Sequence, residues 1–171
     1  MKRYLLITLL LGAILTLGAA PNQVTIKLTT SVPEVLIHGF LKDGSTAEIF
    51  AEETVEDAFN PDGAKFTYAV KTNTSIPMTV YATVTPFEQQ QAINPAHVNI
   101  QQIFVKDESS EGYEATPSAV NEYKLVHFQP DQGGMAVYAY TLTVVANQEE
   151  VANAPAGDYK STVSIGITTE N

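Results

Sequence analysis

Apolar residues fall on every second position over most of this chain. The pattern begins with PNQVTIKLTTSVPE at residues 21–34, where Val24, Ile26, Leu28 and Val32 share one face of an extended segment and Thr30 takes the remaining place in the row. It returns at residues 35–41, in Phe66, Tyr68 and Val70, in Met78, Val80, Ala82 and Val84, over residues 97–105 and 122–128, and in AVYAYTLTVVA at residues 136–146. In the last run, residues 159–169, Tyr159, Ser161, Val163, Ile165 and Ile167 alternate with Lys160, Thr162, Ser164, Gly166 and Thr168. These runs are rich in Val, Ile, Thr, Tyr and Phe, which fit a pleated, half-buried surface.

Turn formers separate the runs: Asp43-Gly44, Asn60-Pro61-Asp62-Gly63, Pro86, and Asp131-Gln132-Gly133-Gly134. Beyond the N-terminal residues no stretch carries a clean helical stripe. About seven or eight strands spaced this way predict an antiparallel β-sandwich. The weakly patterned acidic segments 48–57 and 107–121 read as surface loops, with a short helix placed in the first or in residues 86–93.

The N-terminus reads differently. Lys2 and Arg3 precede an apolar run over residues 4–17, which ends in Gly18-Ala19-Ala20. This is the order of a secretory signal peptide, and the run is shorter than the ~20 residues of a membrane-spanning helix. Residues 1–20 are expected to be removed, with cleavage near Pro21. The rest then carries seven lysines, no arginine and nineteen carboxylates, a formal charge of −12. Such a balance argues against nucleic acid as a partner, because phosphate backbones are held mainly by lysine and arginine. The 171 residues suffice for one domain with a real core, and they include no cysteine, so an exported domain must hold together by burial and backbone pairing or by something supplied from outside.

Nothing in the sequence assembles into a catalytic constellation, so no enzyme activity and no cofactor are expected. His38, His97 and His127 are far apart and lack metal-ligand spacing. Neither a nucleophile elbow, a P-loop nor a dinucleotide fingerprint is present. The carboxylate pairs Glu111 with Glu114 and Glu149 with Glu150 sit in solvent-facing stretches, where solvated charge is the simpler role. Asp107, Glu108 and Glu111 lack the spacing of a calcium loop. Asn73-Thr74-Ser75 matches a glycosylation acceptor by a three-residue pattern that chance also produces, and Tyr113 is an aromatic in the acidic loop.

Three stretches carry a resemblance: TIKLTTSVPEVLIHGFLKDG at residues 25–44, AKFTYAVKTNT at residues 64–74, and PAGDYKSTVSIGITTEN at residues 155–171. With the export signal, they resemble the subunits of chaperone–usher surface fibres, most of all the class 5, or alpha-type, fimbrial major subunits that include the colonization factor antigens. Residues 86–132 match that family poorly. The resemblance implies an incomplete immunoglobulin-like β-sandwich over residues 34–171, lacking its last strand, and a donor-strand extension over residues 21–33. The implied donor residues are Val24, Ile26, Leu28, Thr30 and Val32; the implied acceptor groove includes Val35, Ile37, Val163, Ile165 and Ile167. The implied partners are neighbouring copies of the same subunit in a homopolymer, a periplasmic chaperone, an outer-membrane usher and a tip adhesin, with the fibre displayed at the cell surface after passage through the periplasm. Two alternatives stay open from the residues themselves. The first strand pairs within its own domain, or the chain is a solitary exported β-sandwich that binds a glycan or a protein.

Overall fold

A computed structural model describes residues 26–42, 48–107, 109–131 and 133–170. The expected signal segment, Val24 and the Asp43-Gly44 turn lie outside the described residues. The chain divides into two units, Met1–Pro33 and Glu34–Asn171. In the first, residues 26–33 carry no strand or helix.

In chain order the second unit forms β1 (Leu36–Leu41), β2 (Ile49–Phe50), β3 (Ala64–Thr72), β4 (Met78–Val84), β5 (Phe87–Gln89), β6 (His97–Val98), β7 (Ile100–Asp107), β8 (Tyr113–Glu114), β9 (Thr116–Ala119), β10 (Glu122–Phe128), β11 (Ala136–Ala146), one short helix α1 (Gln148–Asn153), β12 (Tyr159–Lys160) and β13 (Val163–Thr169). The unit is all-β, and its ladders are antiparallel. The larger sheet has the order β2-β1-β3-β11-β7-β8, and a second has the order β13-β4-β10-β9. A small third sheet, β12-β5-β6, sits beside them.

The alternation along each strand decides what meets between the two main sheets. Tyr68 and Val70 of β3, Ile103 and Val105 of β7, and Tyr140, Leu142 and Val144 of β11 share one buried cluster with Met78, Val80 and Val84 of β4 and Leu125 of β10. Two antiparallel sheets over one apolar core is the arrangement of a β-sandwich. On one side the sheets are joined: the Tyr113 hydroxyl of β8 donates to the Leu125 carbonyl of β10 at 2.8 Å. At the other side the two sheet edges are β13 and, inside the two-residue β2, β1.

Gly63 closes the turn before β3. Its φ of 75° is a left-handed value that glycine takes without strain, and its N–H donates to the Asn60 carbonyl at 2.8 Å.

Several elements differ from the sequence-based expectation. The run at residues 97–105 is cut at Asn99, whose N–H donates to the Glu150 carboxylate at 2.6 Å and whose carbonyl accepts from the Asn147 N–H at 2.8 Å. With its backbone groups taken by the α1 region, Asn99 leaves the ladder; β6 goes to the small sheet and β7 to the larger one. The final run is likewise two strands. Thr162 exchanges hydrogen bonds with Thr85, its carbonyl accepting from the Thr85 N–H at 3.0 Å and its N–H donating to Thr85 Oγ1 at 2.9 Å, where the chain passes from β5's sheet to β4's. The short helix is not in residues 48–57 or 86–93, which hold β2 and β5. It follows β11, where Asn147 caps it by accepting from the N–H groups of Glu149 and Glu150. The acidic loop over residues 107–121 contains β8 and β9.

Candidate functional site

The candidate site is the open side of the sandwich, formed by β13 and β1. β13 pairs with β4 along its whole length, from Val163 opposite Val84 to Thr169 opposite Met78. Among the described residues its other edge has no backbone partner. Sheet edges of natural proteins are ordinarily short, charged, kinked by proline or covered, because bare N–H and C=O groups recruit another strand. This edge is seven residues long and contains neither a charge nor a proline. Val163, Ile165 and Ile167 pack against the core but remain half-buried, while Ser164, Gly166 and Thr168 point outward and are exposed.

β1 is bonded to β3 over its full length but to β2 only at Phe40 and Leu41. Leu36 and Phe40 are the β1 side chains that pack against the core cluster between the sheets, and Leu41 at the end of the strand is buried as well. His38 lies between Leu36 and Phe40, its Nδ1 3.1 Å from the Tyr68 hydroxyl and its ring edge-on to the tyrosine at 5.9 Å. Burial lowers the pKa of His38 and raises that of Tyr68. Phe40 stacks edge-on against Phe66 and Tyr68 at centroid distances of 5.6 and 6.3 Å.

Of the residues expected to line an acceptor groove, Val163, Ile165 and Ile167 lie together on one face of β13. Ile37 falls on the face of β1 away from Leu36 and Phe40 and is 48% exposed. Val35 precedes the strand, half-buried, and its N–H donates to Asn73 Oδ1 at 2.7 Å. Sequence reasoning missed Leu36, His38 and Phe40 because VLIHGF is apolar in both phases. Of the expected donor residues, Ile26, Leu28 and Val32 are 78%, 91% and 83% exposed, and Thr30 is exposed as well. Large aliphatic side chains this bare are unusual in a folded protein.

Several of the chemical groups singled out in the sequence have local partners, and Glu108 lies outside the described residues. His97 is exposed on β6, and His127 on β10 has Nδ1 3.0 Å from Thr79 Oγ1 and 3.4 Å from Glu170 Oε1. Glu150 is held as a carboxylate by the backbone and side-chain N–H groups of Asn99, which lower its pKa. Asn73 anchors the start of β1, and Tyr113 closes the opposite side of the sandwich. Among the described residues no group of three or more His, Cys, Asp or Glu side chains is placed to hold a metal ion. No family model, curated protein or solved structure matches this chain.

Proposed function

We propose that this chain is the structural subunit of a surface fimbria, assembled by the chaperone–usher route through donor-strand exchange and supporting adhesion to host cells. The observation that carries the reading is β13: a seven-residue, uncharged edge strand whose inward row of Val163, Ile165 and Ile167 is only half-buried at the side of the core. The missing cover is one strand with apolar residues at alternate positions. Residues 26–32 have that pattern and leave it in solvent.

In this reading the body is an immunoglobulin-like sandwich one strand short, and the segment at residues 21–33 of a neighbouring copy lies along β13 and β1. Burying Ile26, Leu28 and Val32 is worth roughly 1.5–3 kcal/mol for each side chain, and the backbone hydrogen bonds along the edge add to it. Before polymerisation a periplasmic chaperone covers the same edge, and an outer-membrane usher brings copies together; a tip adhesin ends the fibre. Cysteine is absent, so the joint rests on burial and ladder bonds alone.

The test is coexpression with a chaperone and usher, with and without residues 21–33. The intact chain is expected to form a concatenated ladder of copies that survives mild detergent; the truncated chain stays bound to chaperone and forms no ladder. A ladder from the truncated chain, or a compact stable monomer from the intact chain expressed alone, overturns the reading. The monomer outcome favours the solitary binding module.

A further inference from the structure

The open side of the body and the exposed N-terminal segment are each apolar rows broken by a polar side chain. Along the open side β1 turns Leu36, His38 and Phe40 inward, and β13 turns Val163, Ile165 and Ile167 inward, all half-buried. Along the segment, Ile26, Leu28 and Val32 share a row with Thr30. His38 and Thr30 are the polar members of the two rows.

His38 is satisfied on one side of its ring. Nδ1 lies 3.1 Å from the hydroxyl of Tyr68, which is 1% exposed, so that nitrogen is committed to the body. Nε2 has no hydrogen-bond partner among the described residues. No buried side-chain nitrogen or oxygen among them lacks a partner, so Nε2 is reached by solvent. A strand laid over the open side removes that solvent, and a ring nitrogen then left bare opposes binding.

Thr30 supplies what Nε2 lacks. A hydroxyl both donates and accepts, so it suits either tautomer of the imidazole. When Tyr68 donates to Nδ1, Nε2–H donates to the threonine oxygen; when Nδ1–H donates to Tyr68, the threonine hydroxyl donates to Nε2. The alignment of the other side chains then follows from the period of two. With Thr30 at His38, Leu28 and Val32 fall at Leu36 and Phe40, in an order set by the direction of the strand. Sliding the strand by two residues puts an aliphatic side chain on Nε2 and the threonine hydroxyl among apolar groups, leaving two polar groups buried without partners.

We infer that His38 and the Thr30 of a neighbouring copy hydrogen-bond across the joint and set its register, an inference that rests on the fibre reading and adds the pair that chooses the alignment. The pair also favours this chain's own extension over an extension that is aliphatic throughout, because only the former satisfies Nε2.

The test uses the full chain coexpressed with chaperone and usher, and two readouts of the ladder. The first is a double-mutant cycle on the rate at which the ladder dissociates in warm detergent. Thr30→Val keeps the side-chain shape and is expected to speed dissociation about tenfold, whereas in a His38→Leu background the same change is expected to leave the rate unchanged or slow it. The second is cross-linking with His38 and Thr30 kept, since the chain has no cysteine of its own. Leu36→Cys is combined in turn with Ile26→Cys, Leu28→Cys and Val32→Cys, and a covalent ladder is expected from the second or the third combination. Equal acceleration in both backgrounds, no acceleration in the parent, strongest cross-linking with Ile26→Cys, or cross-linking with none of the three overturns the inference while the fibre reading stands. No ladder from the parent chain overturns both.

Discussion

Val35 and Asn73 hold each other at the point where the exposed N-terminal segment gives way to the sheet: the Val35 N–H donates to Asn73 Oδ1 at 2.7 Å, and the Asn73 N–H donates to the Val35 carbonyl at 3.3 Å. The pair fixes where β1 starts and keeps it in register with β3, Leu36 standing opposite Thr72. Asn73→Ala removes the side-chain half of the clasp and leaves the Val35 N–H without that acceptor. The expected loss is about 1–2 kcal/mol by denaturant unfolding, with an unchanged m-value.

Gly39 is required by close approach. A Cβ at this position would press on the Phe50 carbonyl oxygen and lie 2.8 Å from Ile49 Cγ2, so β2 sits against β1 only because the side chain is missing. Gly39→Ala is expected to cost about 1–3 kcal/mol and to release β2, read as faster amide exchange at Ile49 and Phe50.

Leu28 separates folding from assembly. At 91% exposure its replacement by aspartate leaves the isolated body within about 0.5 kcal/mol of the parent in thermal or denaturant unfolding. In the proposed joint the same carboxylate is buried without a partner, at a cost of about 3–5 kcal/mol. The expected result is a normal melting curve together with loss of polymer under coexpression with chaperone and usher. Polymer at parental yield would contradict the donor assignment.

His38 gives the body a pH dependence of known sign. Burial against Tyr68 holds the imidazole below its ordinary value of 6.5, so the unfolded chain binds the proton more readily than the folded one. Stability from this group is therefore fully present above 6.5 and declines as pH falls from there toward the folded pKa. His38→Gln is expected to flatten the difference between denaturation midpoints measured at about pH 7.5 and about pH 5.5. A slope unchanged by the substitution would assign the effect to other groups.

Tyr113 closes the side of the sandwich opposite β13. Tyr113→Phe removes the hydroxyl that donates to the Leu125 carbonyl and is expected to cost about 0.5–1.5 kcal/mol, measured by denaturant unfolding.

The sequence by itself determined that the chain is all-β and where its long strands run. β3, β4, β10 and β11 fall where alternation predicts them, because a side-chain period of two with one buried face is a local property that each run displays unaided. It also displayed both apolar rows, residues 24–32 and Val163, Ile165 and Ile167. Only the tertiary structure decided what the second of these rows is next to. Asn99 and Thr162 break their runs because their backbone groups are claimed by Asn147 and Glu150 in one case and by Thr85 in the other, partners about 50 to 77 residues away that no local pattern reveals. The inward phase of β1 was equally hidden: Leu36 and Phe40 face the core rather than Ile37 because pairing with β3 sets the parity, and a run apolar in both phases carries none of its own. That β13 is an edge at all follows from strand order, which long-range pairing fixes and alternation does not encode.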